Sequence, residues 1–160
     1  MLSLMKASAS YKGAAQEMTA TARHGGIRER HGEGSVMQKV IKTDKAPGAI
    51  GPYSQAIEIN GFVLTSGQIP VDPATGVIPE GVEAQAEQAF KNVTNLVVEA
   101  GSKVENIVKT TVFIKDMNDF AKINAVYEKY FKEPYPARSC VEIARLPKDV
   151  LLEVEAIAFK

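Results

Sequence analysis

Histidine is scarce. The chain has two, His24 and His31, both within the first 36 residues. Any chemistry that needs imidazole as base, proton shuttle or metal ligand is therefore excluded from the rest. Cysteine occurs once, as Cys140, so no internal disulfide can form and no cluster has zinc spacing. A lone cysteine fits a reducing compartment. No apolar run approaches the roughly 18–20 residues that a membrane-spanning helix requires. An excess of basic charge is missing too: the formal net charge is zero, and the first 36 residues hold five Lys/Arg and three Asp/Glu, leaving 14 against 16 in the remainder. Without a Lys/Arg cluster to displace counterions from phosphates, nucleic acid is not an expected partner.

What remains, 160 residues with 45% hydrophobic and 24% charged, fits one soluble globular domain with a core of its own. Residues 1–36 are rich in Ser, Ala, Gly and mixed charge without a sustained apolar period. They read as a disordered leader or a non-native extension, and Met37 as a natural start of the domain at 37–160. The Arg and Ser of this segment suit a targeting peptide, whereas Glu17, Glu29 and Glu33 count against one. A cytoplasmic location is expected, with organellar targeting by the leader left open.

Along the domain, 39–43 reads as a strand. Segments 54–59 and 62–66 read as two more around Asn60-Gly61, a strong hairpin signal. Apolar residues at three-and-four spacing predict a helix over 82–100. The β-branched run 107–114 predicts a strand. A second helix follows over 118–131, its apolar stripe carrying Phe120, Ile123, Tyr127, Tyr130 and Phe131. Two further strands complete an α+β fold, a two-layer mixed sheet covered on one face by two helices.

The chemistry concentrates in residues 136–153, PARSCVEIARLPKDVLLE. Strand alternation puts Arg138, Cys140 and Glu142 on one face, with Val141 and Ile143 on the other. On the next strand Leu152, Val154, Ala156 and Ala158 share a face, and Glu153 and Glu155 lead the opposite one. Arg138 is the sharpest candidate, because its rigid fork of N–H donors matches a carboxylate bidentately; the bland alternative is a surface salt bridge. Glu153 is placed to orient or activate water, or else faces solvent or pairs with Lys148. Cys140 reads as a small buried hydrophobe rather than a nucleophile. Asn124, on the apolar stripe, either caps backbone or faces a polar pocket. Gly67 either admits a ligand to backbone N–H groups or simply ends a strand. In a simple hairpin, Arg138 and Glu153 would stand on the order of 16 Å apart. Either the two strands are not adjacent, or one site draws on two chains.

Four stretches, AIGPY at 49–53, TSGQIP at 65–70, VKTTVF at 108–113 and the run 136–149, resemble the RidA/YjgF family of reactive-intermediate deaminases. The resemblance covers essentially all of 37–160. It implies a chorismate-mutase-like homotrimer with clefts between subunits. It implies hydrolysis of 2-imino acids, such as 2-iminobutanoate and 2-iminopropanoate, to 2-keto acids and ammonia, with no metal and no cofactor. Those imines are released by pyridoxal-phosphate dehydratases, which become functional partners. In the family the arginine matching Arg138 grips the substrate carboxylate, and the glutamate matching Glu153 is tied to the attacking water. Positions matching Tyr53, Ser66, Gly67, Asn124 and Cys140 line the cleft. The connection 132–136 is shorter than in some relatives and bears on the cleft rim. Two other readings compete: a regulatory module that binds 2-keto acids without turnover, and an RNA-cleaving relative.

Overall fold

The period-two and three-and-four patterns become strands and helices close to where they are expected. The computed structural model describes residues 37–160 and the backbone of one short strand before them, β1 (Ile27–Arg28). The rest of the leader lies outside the described residues. Six strands follow: β2 (Gln38–Ile41), β3 (Ala56–Ile59), β4 (Phe62–Thr65), β5 (Ile107–Ile114), β6 (Ala137–Glu142) and β7 (Leu152–Phe159). Two α-helices, α1 (Val82–Glu99) and α2 (Phe120–Tyr130), stand between them. Asn60 at φ 49° and Gly61 at φ 78° make the tight β3–β4 turn, a conformation that Asn and Gly adopt with little strain.

The sheet runs β1-β2-β3-β4-β7-β5-β6. Only β5 and β6 are parallel, with Thr110 opposite Arg138 and Val112 opposite Cys140. A parallel neighbour needs a long crossover, and α2 supplies it. β7 is antiparallel to both β4 and β5, so it sits between two strands joined through α1.

One face of this sheet is dry. Val63, Val112, Ile114, Leu152, Val154 and Ala158 are buried against Phe90, Leu96 and Val97 of α1 and Ile123 and Val126 of α2. Each large apolar side chain so buried contributes about 1.5–3 kcal/mol relative to exposure. The other face is open: Phe62, Leu64, Val141 and Phe159 are each 40–47% exposed there. Buried amides tie the loops to the helices. Asn92 of α1 donates through Nδ2 to the carbonyls of Ile69 (3.0 Å) and Val71 (2.9 Å). Gln85 accepts from the N–H of Leu151 (2.8 Å) and donates to the Pro79 carbonyl (3.0 Å).

Candidate functional site

Among the described residues β6 pairs with β5 alone, at the edge of the sheet, and the β5 register puts Arg138, Cys140 and Glu142 on the helix-covered face. The three share one face, as the alternation predicts; the register shows which face it is. Arg138 is exposed there, and its guanidinium lies 4.5 Å from the ring centroid of Tyr127 and 5.5 Å from that of Phe120. Its Nη1 donates to Oδ1 of Asn124 (2.9 Å), and Nδ2 of Asn124 donates to Oε1 of Glu128 (2.9 Å). The Tyr127 hydroxyl shares a 2.8 Å hydrogen bond with that of Thr110. Rings and amide together hold the guanidinium at one rim of a cavity of about 380 Å³, which Tyr135, Pro136 and Glu128 complete. A planar cation stacked on an aromatic face and steered by a neutral amide suits a carboxylate. Asn124 thus faces a polar pocket, the second of its two expected roles.

Burial pushes the Cys140 thiol up, against the opposing pull of Arg138. The thiol stays protonated at neutral pH, in line with its reading as a non-nucleophile. Burial also pushes the Tyr127 phenol up, while its Thr110 hydrogen bond and Arg138 oppose the shift.

Glu153 stands on the other face of the sheet. In β7 it alternates with buried Leu152 and Val154, and it pairs across to Phe113 of β5. Its carboxyl is pushed up, first by burial and second by the charge of Glu155. Among the described residues it makes no ion pair, and Lys148 is not its partner. What it touches is Gly67. A Cβ on that residue would stand 2.7 Å from Cδ of Glu153 and collide with Oε1. Glycine therefore leaves the Glu153 carboxylate its place, which a larger residue would take only by displacing it.

Ser66 donates through Oγ to the Ser54 carbonyl (2.6 Å). The Tyr53 hydroxyl accepts from the N–H of Ile50 (3.4 Å), and Tyr53, Gly67, Gln68, Asp72 and Lys148 line a cleft of about 180 Å³. The expected residues thus divide into two groups. Arg138, Asn124 and Cys140 form one, and Tyr53, Ser66, Gly67 and Glu153 the other.

The first of the two alternatives for the hairpin holds: β6 and β7 are not adjacent, since β5 runs between them. Tyr127 and Glu128 border the Arg138 cavity, a placement that the sequence does not single out. Tyr127 was placed on the apolar stripe, where its hydroxyl already signalled a polar partner. Phe120 of the same stripe is 37% exposed, because it covers Arg138 rather than the core. Among the described residues no group of His, Cys, Asp and Glu is arranged to hold a metal, and no helix is long and apolar enough to cross a membrane.

The family model described as Endoribonuclease L-PSP matches residues 43–160. The 2-iminobutanoate/2-iminopropanoate deaminase of Salmonella typhimurium is 59% identical over 127 residues, covering 78% of this chain and 99% of that protein. A RutC family protein of Pasteurella multocida is 61% identical over 128 residues, with the same coverage. Among solved structures, Escherichia coli TdcF with bound serine superposes with a TM-score of 0.74 at 57% identity, over 76% of this chain and 98% of that one. The YjgF gene product of E. coli gives the same values.

Proposed function

The chain belongs to the RidA/YjgF family, whose model is described as Endoribonuclease L-PSP, and from that premise we propose that it hydrolyses 2-imino acids such as 2-iminobutanoate and 2-iminopropanoate to 2-keto acids and ammonia. The Salmonella relative at 59% identity carries the name of this activity. The observation that carries the reading here is the guanidinium of Arg138, placed over Tyr127, bonded to Asn124 and lining an open cavity. That TdcF holds serine, an amino acid with a free carboxylate, supports the same assignment.

Arg138 binds the substrate carboxylate and so fixes the iminium carbon. Glu153, ionised, takes a proton from water as its oxygen attacks that carbon. Glu153 returns that proton to the carbinolamine nitrogen, the carbon–nitrogen bond breaks as ammonia leaves, and the hydroxyl proton passes back to Glu153 and on to solvent, leaving the keto acid. A protonated iminium is already electrophilic, so orientation and one base suffice. Burial that raises the Glu153 carboxyl makes its anion the stronger base. Tyr53, Ser66 and Gly67 line the Glu153 half of the cleft, and Cys140 borders the Arg138 half.

Arg138 and Glu153 occupy opposite faces of one sheet, so one substrate reaches both only if two chains contribute. We assign the assembly as a chorismate-mutase-like homotrimer with sites between subunits. The exposed apolar residues of the open face, Phe62, Leu64 and Phe159, supply its contact. The reaction belongs in the cytoplasm beside the pyridoxal-phosphate dehydratases that release these imines. RNA cleavage, which the family description names, finds little support in residues 37–160, which lack histidine and hold 14 Lys/Arg against 16 Asp/Glu.

The test generates 2-iminobutanoate in situ with threonine dehydratase and traps it with semicarbazide. Wild type should suppress semicarbazone formation and Arg138→Ala should not. Absence of suppression by wild type would move the assignment to a carboxylate-binding module.

A further inference from the structure

Gln68 is 4% exposed, and among the described residues its side chain alone keeps a buried polar atom without a hydrogen-bond partner. Its Nε2 donates to the carbonyls of Ser66 and Gly67, both at 3.2 Å, while Oε1 has no hydrogen-bond donor among the described residues. The two donations fix which end of the amide is nitrogen. An apolar side chain of the same length would fill the space without stranding an acceptor. The amide is therefore explained by its N–H groups, which clamp the two peptides on either side of the turn that meets Glu153.

The backbone of Gln68 makes the other half of the link. Its N–H donates to the Val154 carbonyl at 2.7 Å, and its carbonyl accepts from the Val154 N–H at 3.1 Å, an isolated antiparallel bridge next to Glu153. One residue thus holds the Ser66–Gly67 turn with its side chain and the Glu153 strand with its main chain. Between them lies the Gly67–Glu153 approach that leaves no room for a methyl group.

We infer that Gln68 is a positioning residue for Glu153, its buried amide and its bridge to Val154 together setting where the carboxylate meets its water. This rests on the assignment of Glu153 as the catalytic base. Gln68 does not touch the reacting atoms and has no part in holding the substrate carboxylate. A displacement near 1 Å at a reacting group costs on the order of 10² in rate.

The experiment measures kcat and KM for 2-iminobutanoate with wild type, Gln68→Met, Glu153→Gln and the double variant, with circular dichroism to verify folding. If wild type deaminates and Glu153→Gln does so with a kcat about 10²- to 10⁴-fold lower but still measurable, the underlying reading holds and Gln68 is tested by itself. Gln68→Met should then lower kcat about 10- to 100-fold with KM within about twofold. Its effect should vanish in the Glu153→Gln background, since a residue acting through Glu153 has nothing left to position. Equal losses in both backgrounds, or a loss confined to KM, would overturn the inference. Should Gln68→Met not fold, Gln68→Glu is read by the same criteria, and failure of both to fold would assign the amide to the core alone.

Discussion

Arg138 and Glu153 belong to strands separated only by β5, yet their side chains leave the sheet on opposite faces. Thr110 of β5, opposite Arg138, is fully buried under α2, whereas Phe113, opposite Glu153, belongs to the open face. The deaminase reading makes the two residues partners in one reaction, contributed by different chains. Their separate roles can therefore be titrated separately.

Removal of the anchor should act on binding. Arg138→Ala should raise KM for 2-iminobutanoate by about 100-fold or more, because a bidentate charge-assisted pair contributes roughly 3 kcal/mol. Arg138→Lys should recover only part of it, since the ammonium keeps the charge but loses the planar fork that stacks on Tyr127. Steady-state kinetics with the semicarbazide trap distinguish these outcomes.

Loss of the base should act on turnover. Glu153→Gln should lower kcat about 10²- to 10⁴-fold with little change in KM. The lower limb of the wild-type pH profile should fall above the usual glutamate range, since burial and Glu155 push this carboxyl up.

The same shift carries a stability sign. A carboxyl raised by folding binds its proton more tightly in the native state, so its contribution is lost as pH rises from the ordinary glutamate range through the raised value. Glu153→Gln should therefore raise the melting temperature at neutral pH. The gain should shrink to nothing below the ordinary range, where wild type is protonated in both states. Thermal unfolding at three pH values checks the direction.

Gly67→Ala tests contact rather than charge. The new methyl group would overlap the Glu153 carboxylate. The flexible end of that side chain can swing away, so the fold should survive. Turnover should fall on the order of 10²-fold.

Tyr127→Phe separates the ring from its hydroxyl. The stacking surface under Arg138 stays, so KM should change less than about threefold. The fully buried Thr110 hydroxyl loses its partner, at a cost of about 1–3 kcal/mol in a denaturant titration.

The sequence made individual strands and their two faces readable, because alternation is local. Residues 107–114 were assigned to a strand with the boundaries of β5, and the split of Glu153 from Val154 was visible in the same way. Strand order was not. The placement of β5 between β6 and β7 depends on contacts between residues far apart in the chain, and period-two patterning is silent about neighbours. Nor does alternation say which face of one strand matches which face of another, so the opposite placement of Arg138 and Glu153 needed the register. Asn124 illustrates the same limit: its position on the stripe was clear, but only the arrival of Arg138 from β6 selects the polar pocket. Gly67 and Gln68 were legible as a motif, while their contact with β7 was not.

The open face of the sheet, with Phe62, Leu64, Val141 and Phe159 uncovered, has a kinetic consequence. A catalyst whose two working groups reside on different molecules obeys mass action in its own concentration. Serial dilution should leave specific activity constant down to the dissociation constant of the assembly and then make it fall steeply. A charged residue in place of Leu64 should move that threshold to higher concentration.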